Sequence, residues 1–573
     1  MAQDGSGNLL NGAEAMVRML EAHGVQAHGV RHIFGLCGDT TLPFYDALYR
    51  LDHGIEHILT RDERSAAYMA DGYARVTHRP GICEGPSGGG ATYILPGLVE
   101  ANESSVPILS ITSDVAVSSR GHYPLTELDQ DGLMRPLTKW NAVIGRSDML
   151  PDMVRAAFRA MTTGRPGAAH LGFPIDVQQG TVDPDAVWAE PRHAAYPAFP
   201  AAPPEEDAAA LLEALLSARF PAIVCGGGIV LSGGEAEFRC FVERLDIAVS
   251  TTVSGQGSLP ETHPNNVGVV GANGGVAATR ELLEAADLVV FIGCRAGSVT
   301  TERWRTPSRA TRILHLDCDP QVIASSYRTE AAMVCDARLG LQALNRLLDA
   351  REVLPAGFGG RAVVAPARAK KWAAFRPLAE SRDRPIKPER TVAALRAVLD
   401  DDAIVVADPG TPCPYVSAFH ELRTSGRTLF SNRAHGALGY SMSAAMGAWV
   451  GRPDRKVVSL MGDGSFGFTC GEFETVTRRR MPITFVVFSN AVFGWIKAGQ
   501  RAGFGERYFS VDFDRSDHAA IASAFGVKSW RVEDPDILET TLRKAVEHDG
   551  PALVDVISQP LNEAAAPVSE WIA

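Results

Sequence analysis

Short, continuously apolar runs rich in β-branched residues recur along this chain, most of them closed by Gly, Asp, Asn or Ser. They are "VRHIFGL", "PGICEG", "VPILSITSD" and "GAAHLGFPID" in the first third, then "PAIVCGGG", "ADLVVFIGC" and "TRILHLDCD", then "AIVVADPG", "KVVSLMGDG", "PITFVVFSN" and "PALVDVIS". Amphipathic helical stretches lie between them. Runs apolar throughout, rather than alternating, predict strands buried on both faces, and intervening helices predict parallel sheets with helices on each side. The fold class is therefore α/β, with three consecutive doubly wound parallel-sheet domains. Two Pro/Ala-rich stretches, 189–207 and 353–371, read as linkers. The expected domains are 8–185, 204–350 and 385–560. A length of 573 residues is consistent with about three or four domains.

Composition narrows the partners. Charged residues make up 21% and the formal net charge is −12, with no basic run, so nucleic acid is not expected. No stretch approaches the apolar length of a membrane span, and the first residues lack a secretory signal pattern. Nine cysteines without a C-x-x-C pair fit reduced thiols and a cytoplasmic protein.

In open parallel sheets, ligands bind beyond the carboxyl ends of strands. The segment "KVVSLMGDG" places Asp463 there, between two glycines. The next strand, "PITFVVFSN", delivers Asn490 to the same edge, 27 residues later. A carboxylate and an amide oxygen on neighbouring strand ends are hard ligands of the kind Mg²⁺ takes together with phosphate oxygens. A bare GDG could equally be a turn; with Asn at this spacing after a strand, the turn reading loses most of that weight.

The stretch resembles the cofactor signature of thiamine diphosphate enzymes: GDG, one intervening αβ unit, then Asn. The resemblance implies Mg²⁺ held by Asp463, Asn490 and the backbone carbonyl of Val492, with Gly462, Gly464, Ser465, Gly494 and Trp495 around the cofactor. "LTRDERSAAYMADGYARVT" is similar to the family segment that carries an activating glutamate, here Glu63, which would hydrogen-bond the aminopyrimidine ring. "SNRAHGALGYSMSAAMGAW" resembles the family's G-x-[bulky]-G element. There Leu438 would wedge between the cofactor's rings and the Gly436 carbonyl would accept from its amine. "ADPGTP" offers Gly410 and Thr411 to phosphate. The domain order is that of the acetolactate synthase, pyruvate oxidase and 2-oxo acid decarboxylase group, and the likeness to acetolactate synthases runs over nearly the whole chain.

Departures from that pattern fall on the substrate side. The family's G-P-G before an Asn is "PSGGGATY", with Thr92 or Tyr93 near the Asn place. Its F-Q-E is Leu125-Thr126-Glu127, its P-G-G is Cys37-Gly38-Asp39, and its specificity tryptophan is Gly499. His122 and His435 are candidate proton carriers, though a plain loop histidine is the ordinary reading of either. In the central domain "VCGGGIV", "VVGANGG", "GCRAGSV" and "HLDCDP" resemble segments that hold FAD in some relatives and nothing in others, which leaves FAD open. The resemblance implies a lyase or carboligase acting on a 2-oxo acid, with active sites between the chains of a homodimer or homotetramer. Alternatives are a non-ligating 2-oxo acid decarboxylase, a C–C lyase of diketones or acyl-CoA, and a flavin-dependent oxidase.

Overall fold

The computed structural model describes residues 9–24, 31–353 and 356–569. Residue 8, the expected start of the first domain, and Val30, the first residue of the first expected run, lie outside them. The strands of the three large sheets are numbered β1 to β18 below, and every pairing within these sheets is parallel.

The first sheet contains β1 (His32–Gly35), β2 (Glu56–Leu59), β3 (Gly81–Gly85), β4 (Ile108–Asp114), β5 (Trp140–Val143) and β6 (Ala169–Pro174). Their order is β2-β1-β3-β4-β6-β5. The last sheet contains β13 (Ile404–Ala407), β14 (Leu429–Ser431), β15 (Val457–Gly462), β16 (Thr484–Ser489), β17 (Lys528–Val532) and β18 (Ala552–Ile557). Its order, β14-β13-β15-β16-β18-β17, repeats that of the first sheet. The central sheet contains β7 (Pro221–Cys225), β8 (Ala248–Thr251), β9 (Asn266–Val269), β10 (Leu288–Ile292), β11 (Arg312–Asp317) and β12 (Ala331–Val334). It is ordered β9-β8-β7-β10-β11-β12, the 3-2-1-4-5-6 winding of dinucleotide-binding sheets. Each sheet reverses direction beside its first strand, and that reversal opens a crevice at the strands' carboxyl ends.

One expectation needs correction. Much of the second breaker-rich stretch is a helix, Gly360–Ala379, with Pro366 and Pro377 inside it. Val364, Lys371, Phe375 and Ala379 form a buried stripe along it, and Phe375 stacks on Phe419 at 4.3 Å. Burial of that stripe outweighs the two amide donors the prolines remove.

The first and last domains are joined through two helices, α1 (Glu63–Thr77) and α2 (Tyr440–Gly451). They touch backbone to backbone. A Cβ on Gly447 would stand 1.9 Å from the Met69 carbonyl oxygen, and one on Gly72 would stand 2.2 Å from that of Ala444. Ser443 Oγ donates to Ser65 Oγ at 3.0 Å, and the Tyr440 hydroxyl donates to Asp71 at 2.5 Å. Arg75, buried, bonds Asp71 and Glu100. One hydrophobic cluster therefore runs through both domains.

Candidate functional site

The last sheet reverses between β13 and β15, and the loops that leave these strands face each other across a cavity of about 690 Å³. From the β13 side come Pro409, Gly410 and Thr411. From the β15 side come Gly462, Asp463, Gly464 and Ser465. Gly436 and Leu438 line it from the loop before α2, and Val492, Gly494 and Trp495 from the loop after β16. Asn273, Arg303 and Trp304 of the central domain and Arg433 complete a wall that the sequence motifs did not anticipate.

Asp463 is 7% exposed and is the one carboxylate among the lining residues. Its Oδ2 accepts from the backbone N–H groups of Asn490 (2.8 Å) and Ala491 (2.6 Å), and its Oδ1 from that of Gly464 (2.9 Å). Burial raises this carboxyl from its ordinary value, and the three N–H groups pull it back. Asn490 donates through Nδ2 to Thr411 Oγ1 at 3.3 Å, while its buried Oδ1 has no protein partner. An orphaned buried acceptor costs about 1–3 kcal/mol unless something donates or coordinates. The Val492 carbonyl accepts from Gly494 N–H at 2.8 Å, which leaves it a second lone pair.

This donor set fits a hard divalent cation: one carboxylate, one orphaned amide oxygen and one carbonyl. Among the described residues no trio of His, Cys, Asp or Glu gathers to hold a metal by side chains alone. The remaining ligands of such a cation would be oxygens of a bound phosphate group and water. Room for such a group is present, because Cβ atoms added to Gly410, Gly436 and Gly462 would meet nothing within 4 Å. Gly436 also has φ +74°, a conformation that disfavours side chains.

Asp408, missed at the motif level, orders the loop that carries Gly436 and Leu438. It is buried, and it accepts from Tyr440 N–H (2.9 Å), Ser441 N–H (3.3 Å) and Ser441 Oγ (2.7 Å). Burial pushes its carboxyl up to about 6. The only sequence signal was an acid closing a strand ahead of Pro-Gly.

Glu63 lies elsewhere. It opens α1, is 5% exposed, and follows Asp62, whose side chain caps the helix at Arg64 N–H. Gly85 and Gly90 make space for it: their Cβ atoms would stand 3.1 Å from Glu63 Cγ and 3.2 Å from Glu63 Oε1. Burial raises the Glu63 carboxyl, with the charges of Asp62 and Glu84 adding to the shift. Among the described residues, none of the first sheet's domain lines the cavity below Asp463. The same chain nevertheless fastens the two regions. Glu472, buried and pushed up to about 7, accepts from Arg61 N–H at 2.9 Å, and Arg64 donates to the Phe468 carbonyl at 3.1 Å.

The two histidines are on the surface. His122 is exposed in the loop after β4, and His435 is exposed beside cavity-lining Gly436, its backbone N–H bound to Glu100 at 2.7 Å. Two of the four substrate-side departures meet in a hydroxyl chain through Ser87 and Thr126, which Thr40, the residue after a third, and Ser113 join. Thr40 Oγ1 bonds Ser87 Oγ (3.0 Å) and Ser113 Oγ (2.6 Å), and Ser87 Oγ bonds Thr126 Oγ1 (2.7 Å). Gly499, the fourth, is buried next to Ala498 on the helix Gly494–Phe504 and is not part of that chain.

Comparison with known proteins matches the whole architecture. Residues 10–133 match the N-terminal TPP binding domain of thiamine pyrophosphate enzymes, 208–344 their central domain, and 408–556 their C-terminal TPP binding domain. A probable acetolactate synthase large subunit of Methanococcus aeolicus is 33% identical over 565 residues, 96% of this chain and 92% of that protein. One from Methanocaldococcus jannaschii is 34% identical over 562 residues, with the same coverage. The acetolactate synthase large subunit of Lactococcus lactis is 30% identical over 533 residues, 92% of this chain and 90% of that protein.

Proposed function

The chain belongs to the thiamine pyrophosphate enzymes and is acetolactate synthase-like, and from that premise we propose a Mg²⁺-dependent carboligase that decarboxylates a 2-oxo acid and joins the remaining acyl unit to a second carbonyl compound. Thiamine diphosphate, when bound, supplies the carbon nucleophile and the electron sink for C–C cleavage.

The observation that carries the reading is the pairing of Asp463 with the orphaned Asn490 Oδ1 at the crevice of the last sheet. Asp463, Asn490 and the Val492 carbonyl would hold the cation. Gly410, Thr411, Gly462, Gly464, Ser465 and Gly494 would surround the diphosphate, with Trp495 closing one side. Leu438 and the Gly436 carbonyl would orient the rings, their loop being fixed by Asp408. Glu63 would hold and release a proton at its carboxyl, a task suited to a group raised by burial. His122 and His435 are the proposed proton carriers at the solvent side.

Glu63 does not line its own chain's cavity, so a complete site calls for two chains. Exposed apolar side chains support such an assembly: Phe468, Phe493, Ile496 and Phe509 in the last domain, and Tyr93, Tyr123 and Leu125 in the first. We take a homodimer as the minimum. Sedimentation of dilute protein should show cofactor and Mg²⁺ driving association; a monomer that turns over would refute it. No described helix is long and apolar enough to cross a membrane, and the cysteines are unpaired; we place the enzyme in the cytoplasm.

A second cavity, about 520 Å³, lies at the reversal of the central sheet. Gly226–Gly228 line it after β7, Gly293–Arg295 after β10, and Asp317 closes β11. With that winding it supports FAD as an additional ligand, and visible flavin absorbance in purified protein would test it. Mass spectrometry of products from a panel of 2-oxo acids, with and without added aldehyde, tests the main reading. A ligated hydroxyketone is expected. A lone aldehyde would mean simple decarboxylation, and peroxide would mean a flavin oxidase.

A further inference from the structure

The loop that carries Gly436 and Leu438 is held from outside its own domain. Among the described residues, no backbone–backbone hydrogen bond involves residues 433–438, so side chains fix this loop. From its own domain, Asn432 Nδ2 donates to the Ala437 carbonyl at 2.6 Å, and Asp408 takes the N–H groups of Tyr440 and Ser441. The first domain takes the stretch between. Glu100, on the helix Leu95–Glu103, is 0% exposed, and its Oε2 accepts from the N–H groups of Ala434 (3.2 Å) and His435 (2.7 Å). Its Oε1 accepts from Ser104 Oγ (2.5 Å) and from Arg75 (3.2 Å).

Four donors on two oxygens call for an ionised carboxylate. A buried charge is costly unless it is paired and hydrogen-bonded, and here Arg75 pairs it. We propose that Glu100 is a positioning residue that sets the loop of Gly436 and Leu438, so that the first domain fixes the ring-orienting loop at its own chain's cofactor cavity. The first domain then serves two sites, with Glu63 in the other chain's and Glu100 in its own. The proposal rests on the reading of this loop as the one that orients the cofactor's rings.

Gly436 directly follows His435. A Cβ on it would meet nothing within 4 Å, so side-chain packing does not hold it, whereas the bond on its neighbour does. One peptide unit therefore passes any movement of the His435 N–H to the Gly436 carbonyl, and Leu438 lies two residues further. The far end of the loop is tied into the same network. Arg75 bonds Asp71 at 2.8 and 3.1 Å, and Asp71 accepts from the hydroxyl of Tyr440, the first residue of α2, at 2.5 Å. Glu100, Arg75, Asp71 and Tyr440 thus brace the loop from α1 and from the helix Leu95–Glu103 together.

The first measurement uses the wild-type chain without cofactor. The amides of Ala434 and His435 should exchange with deuterium about tenfold or more slowly than in an unstructured peptide of that sequence. Glu100→Leu removes both oxygens at similar volume and leaves Arg75 its two bonds to Asp71. In this variant the two amides should lose their protection. Calorimetric affinity for thiamine diphosphate at fixed Mg²⁺ should stay within severalfold of wild type, because the diphosphate and the cation are held beside Asp463. Hydrogen–deuterium exchange at the cofactor's C2 should slow by about ten- to a hundredfold, the cost of a small misplacement. Glu100→Gln, which can still turn an oxygen to the loop, should restore part of both effects. Amides unprotected in wild type, or still protected in Glu100→Leu, would overturn the proposal; the wild-type result decides if the variant does not fold. A freed loop with wild-type C2 exchange, whatever the melting temperature, would make Glu100 a structural residue and overturn it too. Leu438→Ala separates the two readings. Slowed C2 exchange there with wild-type exchange in Glu100→Leu overturns this proposal alone, whereas wild-type exchange in Leu438→Ala overturns the reading of the loop and this proposal with it.

Discussion

Asp463→Asn isolates charge from shape at the centre of the proposed cation site. The amide can still offer one oxygen to the N–H groups of Asn490 and Ala491, which now donate to Asp463 Oδ2 at 2.8 and 2.6 Å. Those bonds become neutral, which costs about 1 kcal/mol each. The new NH₂ must then face Gly464 N–H, which donates to Oδ1 at 2.9 Å in the native protein. A donor left facing a donor in a buried site costs about 1–3 kcal/mol. Together these are about 3–5 kcal/mol, before counting the loss of the one carboxylate among the described residues that line the cavity. At about 1.4 kcal/mol per decade, cofactor affinity should fall by about two to three and a half decades. Calorimetric titration with thiamine diphosphate at fixed Mg²⁺ measures this directly. Quenching of Trp304 and Trp495, which line the cavity, gives an independent readout. Unchanged affinity in a folded variant would remove Asp463 from the cofactor site and undo the argument from its hydrogen bonds.

Glu63→Gln should bind cofactor nearly as wild type but lose about 10²–10⁴ in kcat, the range of general acid–base contributions; NMR of hydrogen–deuterium exchange at the cofactor's C2 should slow in parallel. Gly447→Ala forces a methyl against the Met69 carbonyl, where the Cβ distance would be 1.9 Å; overpacking of this kind costs about 1–3 kcal/mol or more, and a lower melting temperature should report it. His170, buried on β6 against Thr112, is pushed down to about 3 by burial. Between its unfolded value near 6.5 and that folded value, the unfolded chain binds the extra proton, so stability falls as pH drops through this window. In His170→Gln the loss of melting temperature between pH 6.5 and 4 should therefore be smaller than in wild type.

Much of this molecule is decided locally. Buried parallel strands must be apolar on both faces and must end where the chain can turn, so β3, β4, β6, β7, β10, β11, β13, β15, β16 and β18 stand out as runs with polar or glycine closures. The same local rule put Asp463 and Asn490 at neighbouring strand ends, since one αβ unit between parallel strands leaves little freedom in where the second strand finishes. Shorter or less apolar strands, such as β5 (Trp140–Val143) and β12 (Ala331–Val334), carry no such mark, because their pairing is set by neighbours rather than by their own composition. The helix Gly360–Ala379 was hidden behind its prolines for the same reason: its buried stripe acquires meaning only against the sheet and the helix it packs on. Tertiary structure alone decided where acids meet. Asp408, Glu100 and Glu472 are unremarkable letters in sequence. Each becomes a structural centre because the fold strips its water and supplies partners more than ten residues away, in most cases from another strand, helix or domain. The cavity below Asp463 and the buried place of Glu63 are likewise products of packing, since no local pattern specifies which surfaces of three linked sheets will face one another.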